Sequence, residues 1–223
     1  MPRRKESLIN KNIYHVYNKT IDAIRIFKDK AECELFLELM YYYRSSKSLL
    51  RFSRFKSANS NIRKMILNEI KLTRFYRVEV FSYTLMPNHF HFLMMQKLSN
   101  GIQELMANVL NSFTRIYNLK NKRSGPVFLP RFKSIRIKSD EQLIHTSRYI
   151  HLNPYSSNVV GSLDELAKYP WSSFRAYISS DKNKLVNPNY ILKLFNNNKS
   201  KYKKFVFNHA EYQKRLELKK KKK

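Results

Sequence analysis

Between Val78 and Met95 the chain carries a single charge, Glu79, and reads as two β-forming runs split by Met86-Pro87-Asn88. Val78 to Tyr83 and His89 to Met95 have the β-branched, aromatic and alternating character of strands. Pro and Asn set turn geometry locally, so the two strands are joined by a short connection. Whatever the chain folds into must contain this pair. Around it, Ile13 to Tyr17 reads as a first strand ending in a polar turn at Asn18-Lys19-Thr20. Asp29 is a plausible N-cap for a helix over 30–43, where Leu35, Phe36, Leu39 and Met40 recur at helical spacing. A second helix is predicted over 103–119, with Leu105, Val109, Phe113 and Ile116 along its apolar face. After a break at Asn121 to Gly125, Val127 to Lys138 reads as an edge strand. Asp140 is taken as the cap of a third helix that runs to about Asn153, where Pro154 should end it. Helices interrupting a mostly antiparallel sheet in this order predict an α+β fold, a ferredoxin-like sandwich.

Two segments lie outside that pattern. From Arg44 to Arg77 there are ten Lys or Arg and one acid, Glu69, interleaved with Phe52, Phe55, Phe75 and Tyr76. This is read as a helical or partly mobile basic insertion. Residues 1–175 are expected to form the main domain and residues 176–223 a basic extension. Short helices are expected there near 190–195 and 202–218, and a disordered tail over the last five lysines.

Across the whole chain 44 Lys and Arg face 16 Asp and Glu, a formal charge of +28. Solubility does not require such an excess. The excess predicts a polyanionic partner, because each neutralised phosphate releases condensed counterions, with a ribosome-associated or merely basic protein as the alternative. Arg115, Lys120, Lys122, Arg123, Arg131, Lys133, Arg136 and Lys138 accumulate with no acid among them. Three glycines leave no room for a Gly-rich phosphate loop, which excludes a P-loop NTPase. Cys33 is the only cysteine, so neither an internal disulfide nor a Cys-based zinc site is expected. The N-terminal residues lack the apolar run of a signal peptide, and no stretch approaches the roughly 20 apolar residues that span a bilayer. A cytoplasmic location without a membrane partner is the expectation.

His89 and His91 are two apart on a predicted strand, so both side chains leave one face while Phe90 and Phe92 point to the other. That spacing suits two imidazoles meeting one metal ion, and it is equally the spacing of two ordinary histidines. Tyr149 and Asn153 are i and i+4 on the third helix, with His145 one turn earlier on the same stripe. A core or capping role suits Tyr149 as well, and Asn153-Pro154 has an ordinary reading as a helix stop.

Several segments in order resemble a known pattern: Tyr14-His-Val-Tyr-Asn18, Leu85-Met-Pro-Asn-His-Phe-His91, Phe113-Thr-Arg-Ile-Tyr-Asn118 and Gly125-Pro-Val-Phe128. Arg131-Phe-Lys-Ser134, Arg148-Tyr-Ile-His-Leu-Asn-Pro154 and Tyr169-Pro-Trp-Ser-Ser173 continue it. Together they resemble the REP-associated tyrosine transposases, a branch of the single-tyrosine HUH transposases, over roughly residues 13 to 175. The resemblance implies the ferredoxin-like fold, His89 and His91 as metal ligands, Asn153 completing the metal site, and Tyr149 as nucleophile. It implies a divalent cofactor, Mg²⁺ or Mn²⁺, and single-stranded or hairpin DNA as partner, with the protein a monomer or a homodimer. Two departures touch DNA recognition. Asn18 is followed by Lys19-Thr20 where the family has Arg-Gly, and the insertion over 44–77 is long and basic.

The expected chemistry is attack of Tyr149 on a phosphodiester, with the cation as Lewis acid and template, giving a phosphotyrosine and a free 3′-hydroxyl. A tyrosine near its ordinary pKa of about 10 must lose a proton first. A water on the metal, bulk water and His145 are all acceptors on this reading. Lys19, Arg115, Arg131, Lys133 and Arg136 are the expected phosphate contacts, while Phe128 and Phe132 either stack on bases or belong to the core. The alternative from another class is a DNA- or RNA-binding protein of the same fold that lacks turnover.

Overall fold

The computed structural model describes residues 7–181 and 183–221. Four strands, β1 (Ile13–Lys19), β2 (Val78–Met86), β3 (His89–Gln96) and β4 (Lys133–Ile137), form one sheet in the order β2-β3-β1-β4. Every neighbouring pair is antiparallel. The connection from β1 to β2 holds α1 (Lys30–Tyr43), α2 (Phe52–Ser57) and α3 (Ser60–Ile70), and β3 leads to β4 through α4 (Gly101–Lys120). After β4 follow α5 (Asp140–Ser156), α6 (Leu163–Lys168), α7 (Phe174–Ile178), α8 (Asn189–Leu192), α9 (Lys199–Phe207) and α10 (Ala210–Lys221). This is the expected ferredoxin-like order, with an added helical layer.

Strand alternation sorts the core. Tyr14 and Val16 of β1 and Phe90, Phe92 and Met94 of β3 face α1 and α4, where Phe27, Phe36, Phe113 and Phe128 complete an aromatic cluster. Phe81 and Leu93 face the other way, onto a second cluster built with Leu143, Ile150 and Leu152 of α5. The segment after residue 175 supplies Tyr177, Ile191, Leu192, Tyr202, Val206 and Ala210 to that same cluster. Gly101 starts α4 where a Cβ would sit 2.4 Å from the Arg77 carbonyl oxygen, so the helix can approach the entry to β2 only without a side chain. Among the described residues no helix is long and apolar enough to cross a membrane.

Several boundaries differ from expectation. Ser139, not Asp140, caps α5: its hydroxyl accepts from the Gln142 N–H at 3.1 Å, and Asp140 is the first helical residue. The helix also continues through Pro154 to Ser156. Proline removes one backbone donor, and the burial of Leu152, Pro154 and Tyr155 holds the last turn against that loss. Only Lys133–Ile137 of the 127–138 segment is continuous strand; Phe128 makes a separate antiparallel bridge to Thr20, and Pro130, which has no amide hydrogen to donate, lies between the two. The basic insertion is helical. In the terminal lysine run, α10 reaches Lys221, and Lys222 and Lys223 lie outside the described residues.

Candidate active site

The face of the sheet opposite α1 and α4 carries an open cleft of about 1390 Å³ between β1, β3 and α5. Alternation delivers its floor. His15, Tyr17 and Lys19 of β1 and His89 and His91 of β3 all leave this face, and Tyr17 lies directly across from His91 in the register. His91 is the most confined of them. Its ring stacks on His15 (centroids 5.0 Å apart, planes at 28°) and on Tyr17 (5.6 Å, 29°), with the His89 ring edge-on at 5.1 Å. The Nδ1 of His91 lies 2.9 Å from the Nε2 of His15.

The wall opposite is α5. Four of its residues, Glu141, His145, Tyr149 and Asn153, line the cleft at successive turns, as the i, i+4 spacing requires. Tyr149 meets both buried histidines edge-on, His91 at 5.7 Å and His15 at 6.0 Å between centroids. The far side of α5 is locked by a buried polar chain. His151 bonds the Tyr202 hydroxyl through Nδ1 (2.8 Å) and the Ser173 hydroxyl through Nε2 (2.8 Å), while Tyr202 also meets Ser147 Oγ at 2.6 Å. Ser173 in turn accepts from the Tyr83 N–H of β2 at 2.8 Å. The Arg148–Pro154 and Tyr169–Ser173 motifs are therefore two halves of one clamp. It fixes the rotation of α5 and so the direction of Tyr149 and Asn153.

Sequence reasoning missed His15, Tyr17, Arg25 and Glu217 as cleft residues. His15 stands within a motif already singled out, but its meeting with His91 depends on the β1–β3 register. Glu217 comes from α10, whose packing is anchored by Gln213: its amide donates to the Tyr149 carbonyl oxygen at 3.1 Å and to Ser156 Oγ at 3.2 Å. The departure at Lys19-Thr20 also finds its reason. Thr20 has ordinary extended backbone (φ −71°), and its hydroxyl bonds the carbonyls of Ile24 (2.8 Å) and Asn88 (3.1 Å). No glycine is needed there.

The histidines are held neutral. Burial lowers His15 to about 4, and burial with the nearby Lys19 ammonium takes His89 to about 4 against the opposing influence of Asn153 and Glu217. His91 falls well below the ordinary value through burial and then through the neighbouring His15 and His89. Neutral imidazoles keep a lone pair. His89 donates Nδ1–H to Asn88 Oδ1 at 2.8 Å, which leaves its Nε2 as an acceptor. Asn153 is 4% exposed, its amide interacts with His89, and its Nδ2 is a buried donor without a hydrogen-bond partner. Two neutral imidazoles and one amide thus line the same cleft, a donor set that fits a divalent ion accepting mixed nitrogen and oxygen ligands. Among the described residues no three His, Cys, Asp or Glu form a metal-binding group, so an ion here would depend on the Asn153 amide.

No family model matches the sequence, and comparison with curated proteins gives no match. A solved structure does match: a REP-associated tyrosine transposase bound to a REP hairpin, with a TM-score of 0.55 and 13% identity. The alignment covers 84% of this chain and 92% of that one. The two share a fold.

On that fold the expected DNA-contact residues divide between faces. Lys19 lines the cleft, and Lys133, paired with Tyr17 across β1 and β4, is exposed on the same face of the sheet. Arg136 belongs to the opposite parity of β4 and its guanidinium donates to Asn12 Oδ1 at 3.0 Å. Arg115 is exposed on α4, across the sheet from the cleft, and Arg131 is exposed in the segment before β4. Phe128 is a core residue, buried against Phe27, Phe36, Phe90 and Phe113, while Phe132 is half-buried at the edge of the same cluster.

Proposed function

We propose that this chain binds single-stranded or hairpin DNA and cuts it through Tyr149, passing through a covalent phosphotyrosine and acting as a transposase-type strand transferase. One observation carries the reading: Tyr149 and Asn153 of α5 share a cleft with His89 and His91 of β3. The fold likeness to a transposase bound to a DNA hairpin supports it, as does the charge of +28.

The Tyr149 oxygen attacks a backbone phosphorus, forming one P–O bond while the bond to the 3′-oxygen breaks. The departing oxygen takes a proton and becomes a 3′-hydroxyl. One phosphodiester replaces another, so the step is reversible and needs no nucleotide to drive rejoining. A divalent cation, Mg²⁺ or Mn²⁺, held by His89, His91 and Asn153 would neutralise charge on the phosphate. The phenol proton goes to a water on the cation, to bulk water or to His145, which lines the same wall of the cleft one turn before Tyr149. Lys19 and Arg25 at the cleft, with Lys133 on the same face, supply phosphate contacts.

The test incubates the protein with a panel of end-labelled hairpin DNAs and Mn²⁺, then resolves the products under denaturing conditions. A protein–DNA adduct is expected with wild type and is expected to fall to background in Tyr149→Phe. An adduct that survives Tyr149→Phe sinks the assignment of the nucleophile. DNA binding with no adduct from any hairpin would leave a non-catalytic binding protein.

A further inference from the structure

His15 has no part in the reaction just described, yet its ring nitrogen lies within hydrogen-bond distance of His91. Its Nε2 lies 2.9 Å from His91 Nδ1, the two rings stack at 28°, and both residues are buried, 8% and 6% exposed. Between two neutral imidazoles a hydrogen bond has a direction: one nitrogen carries the proton and the other receives it. If His15 donated, His91 would carry its own proton on Nε2 and present a donor to the cleft. If His15 accepts, His91 carries the proton on Nδ1 and its Nε2 keeps a lone pair.

We infer that His15 is a positioning residue, which accepts the Nδ1–H of His91 and thereby sets the tautomer and plane in which His91 faces the cleft. The inference rests on the proposed cation site and extends it. His89 shows the same device with a different partner, since Asn88 Oδ1 accepts its Nδ1–H at 2.8 Å. The two histidines are thus oriented from outside by a side-chain acceptor each, one from the hairpin turn and one from β1. A partner of this kind fixes the ring of a metal-binding histidine and raises its basicity. His15 is not a third ligand on this account, because its Nε2 is spent on His91.

Three measurements decide it. Long-range ¹H–¹⁵N spectra of the metal-free protein are expected to show His91 and His15 both as Nδ1–H tautomers. His91 in the Nε2–H form overturns the inference. Mn²⁺ titration by water-proton relaxation is expected to show about 10- to 100-fold weaker binding in His15→Phe. His15→Gln, whose amide oxygen can accept in the same place, is expected to restore affinity to within a few-fold. Equal weakness in His15→Gln and His15→Phe overturns the inference, as does wild-type affinity in a folded His15→Phe. Should His15→Phe not fold, the tautomer spectrum and His15→Gln still decide. Spin-echo modulation of bound Mn²⁺ is expected to report two directly bound imidazoles in wild type and in His15→Gln, and three in wild type overturns it. Wild-type protein that binds no Mn²⁺ removes the cation reading and this inference together. Binding that ignores His15 removes the inference alone.

Discussion

The two faces of one sheet have been put to different uses. Toward α1 and α4 the strands present Tyr14, Val16, Phe90, Phe92 and Met94, all buried in an aromatic cluster. Toward α5 the same strands present His15, Tyr17, Lys19, His89 and His91, and between them and the helix an open cleft remains. In β3 the two sets alternate residue by residue. The first face can be rigid because it is closed and apolar. The second inherits that rigidity through the backbone while its own side chains stay polar and partly open. A site built on strands backed by a packed core is held more tightly than one built on loops.

Acid should separate the faces most strongly. His15 and His89 sit at about 4, His151 at about 3, and His91 well below its ordinary value, whereas the unfolded chain takes up protons near 6.5. Between those values the unfolded state binds more protons, so stability contributed by these neutral groups is present above about 6.5 and lost as pH falls toward 4 and 3. One unit on one group corresponds to about 1.4 kcal/mol, so unfolding free energies from urea titrations between pH 7 and pH 4 should fall by roughly several kcal/mol in total. A flat profile would mean that the histidines of the α5 side are not buried and neutral.

Next in size is a paired substitution in β3. Phe90→Ala, on the closed face, should cost about 3–5 kcal/mol in urea unfolding at pH 7. His91→Ala, one residue on, should cost less than half of that while reducing DNA adduct to background. Equal losses of stability would erase the distinction between core and cleft. The smallest effect expected is on DNA affinity. Lys19→Ala should lower the salt dependence of hairpin binding by about one unit of slope, and Arg115→Ala on α4 should leave it unchanged. The reverse result would move the DNA to the other side of the sheet.

Much of this was legible in the sequence, for identifiable reasons. Strand and helix periods are local, so the order of elements and the alternation of His89 and His91 with Phe90 and Phe92 could be read directly. The i, i+4 relation of Tyr149 and Asn153 is local too, and both line the cleft. His15 could not be matched with His91 because 76 residues separate them and only the antiparallel register unites them. Gln213 and Glu217 were hidden for another reason: α10 is strongly polar, so no apolar stripe announces its packing on α5. The capping of α5 by Ser139 shows the limit at finer scale, since Ser and Asp at adjacent positions are both good caps and only geometry chooses between them.

The edge strand β4 carries one more consequence. It lies at the end of the sheet, and among the described strands only β1 pairs with it. Its outer backbone groups form a template onto which another chain's strand could add, and Ile135, 48% exposed, would welcome one. Lys133 at its start and Lys138 just beyond its end stand guard there, both exposed. Cations at a strand edge discourage edge-to-edge growth, because a second copy would bring the same charges into register. The basic character of this segment therefore has a second physical effect, electrostatic opposition to the pairing of two such edges.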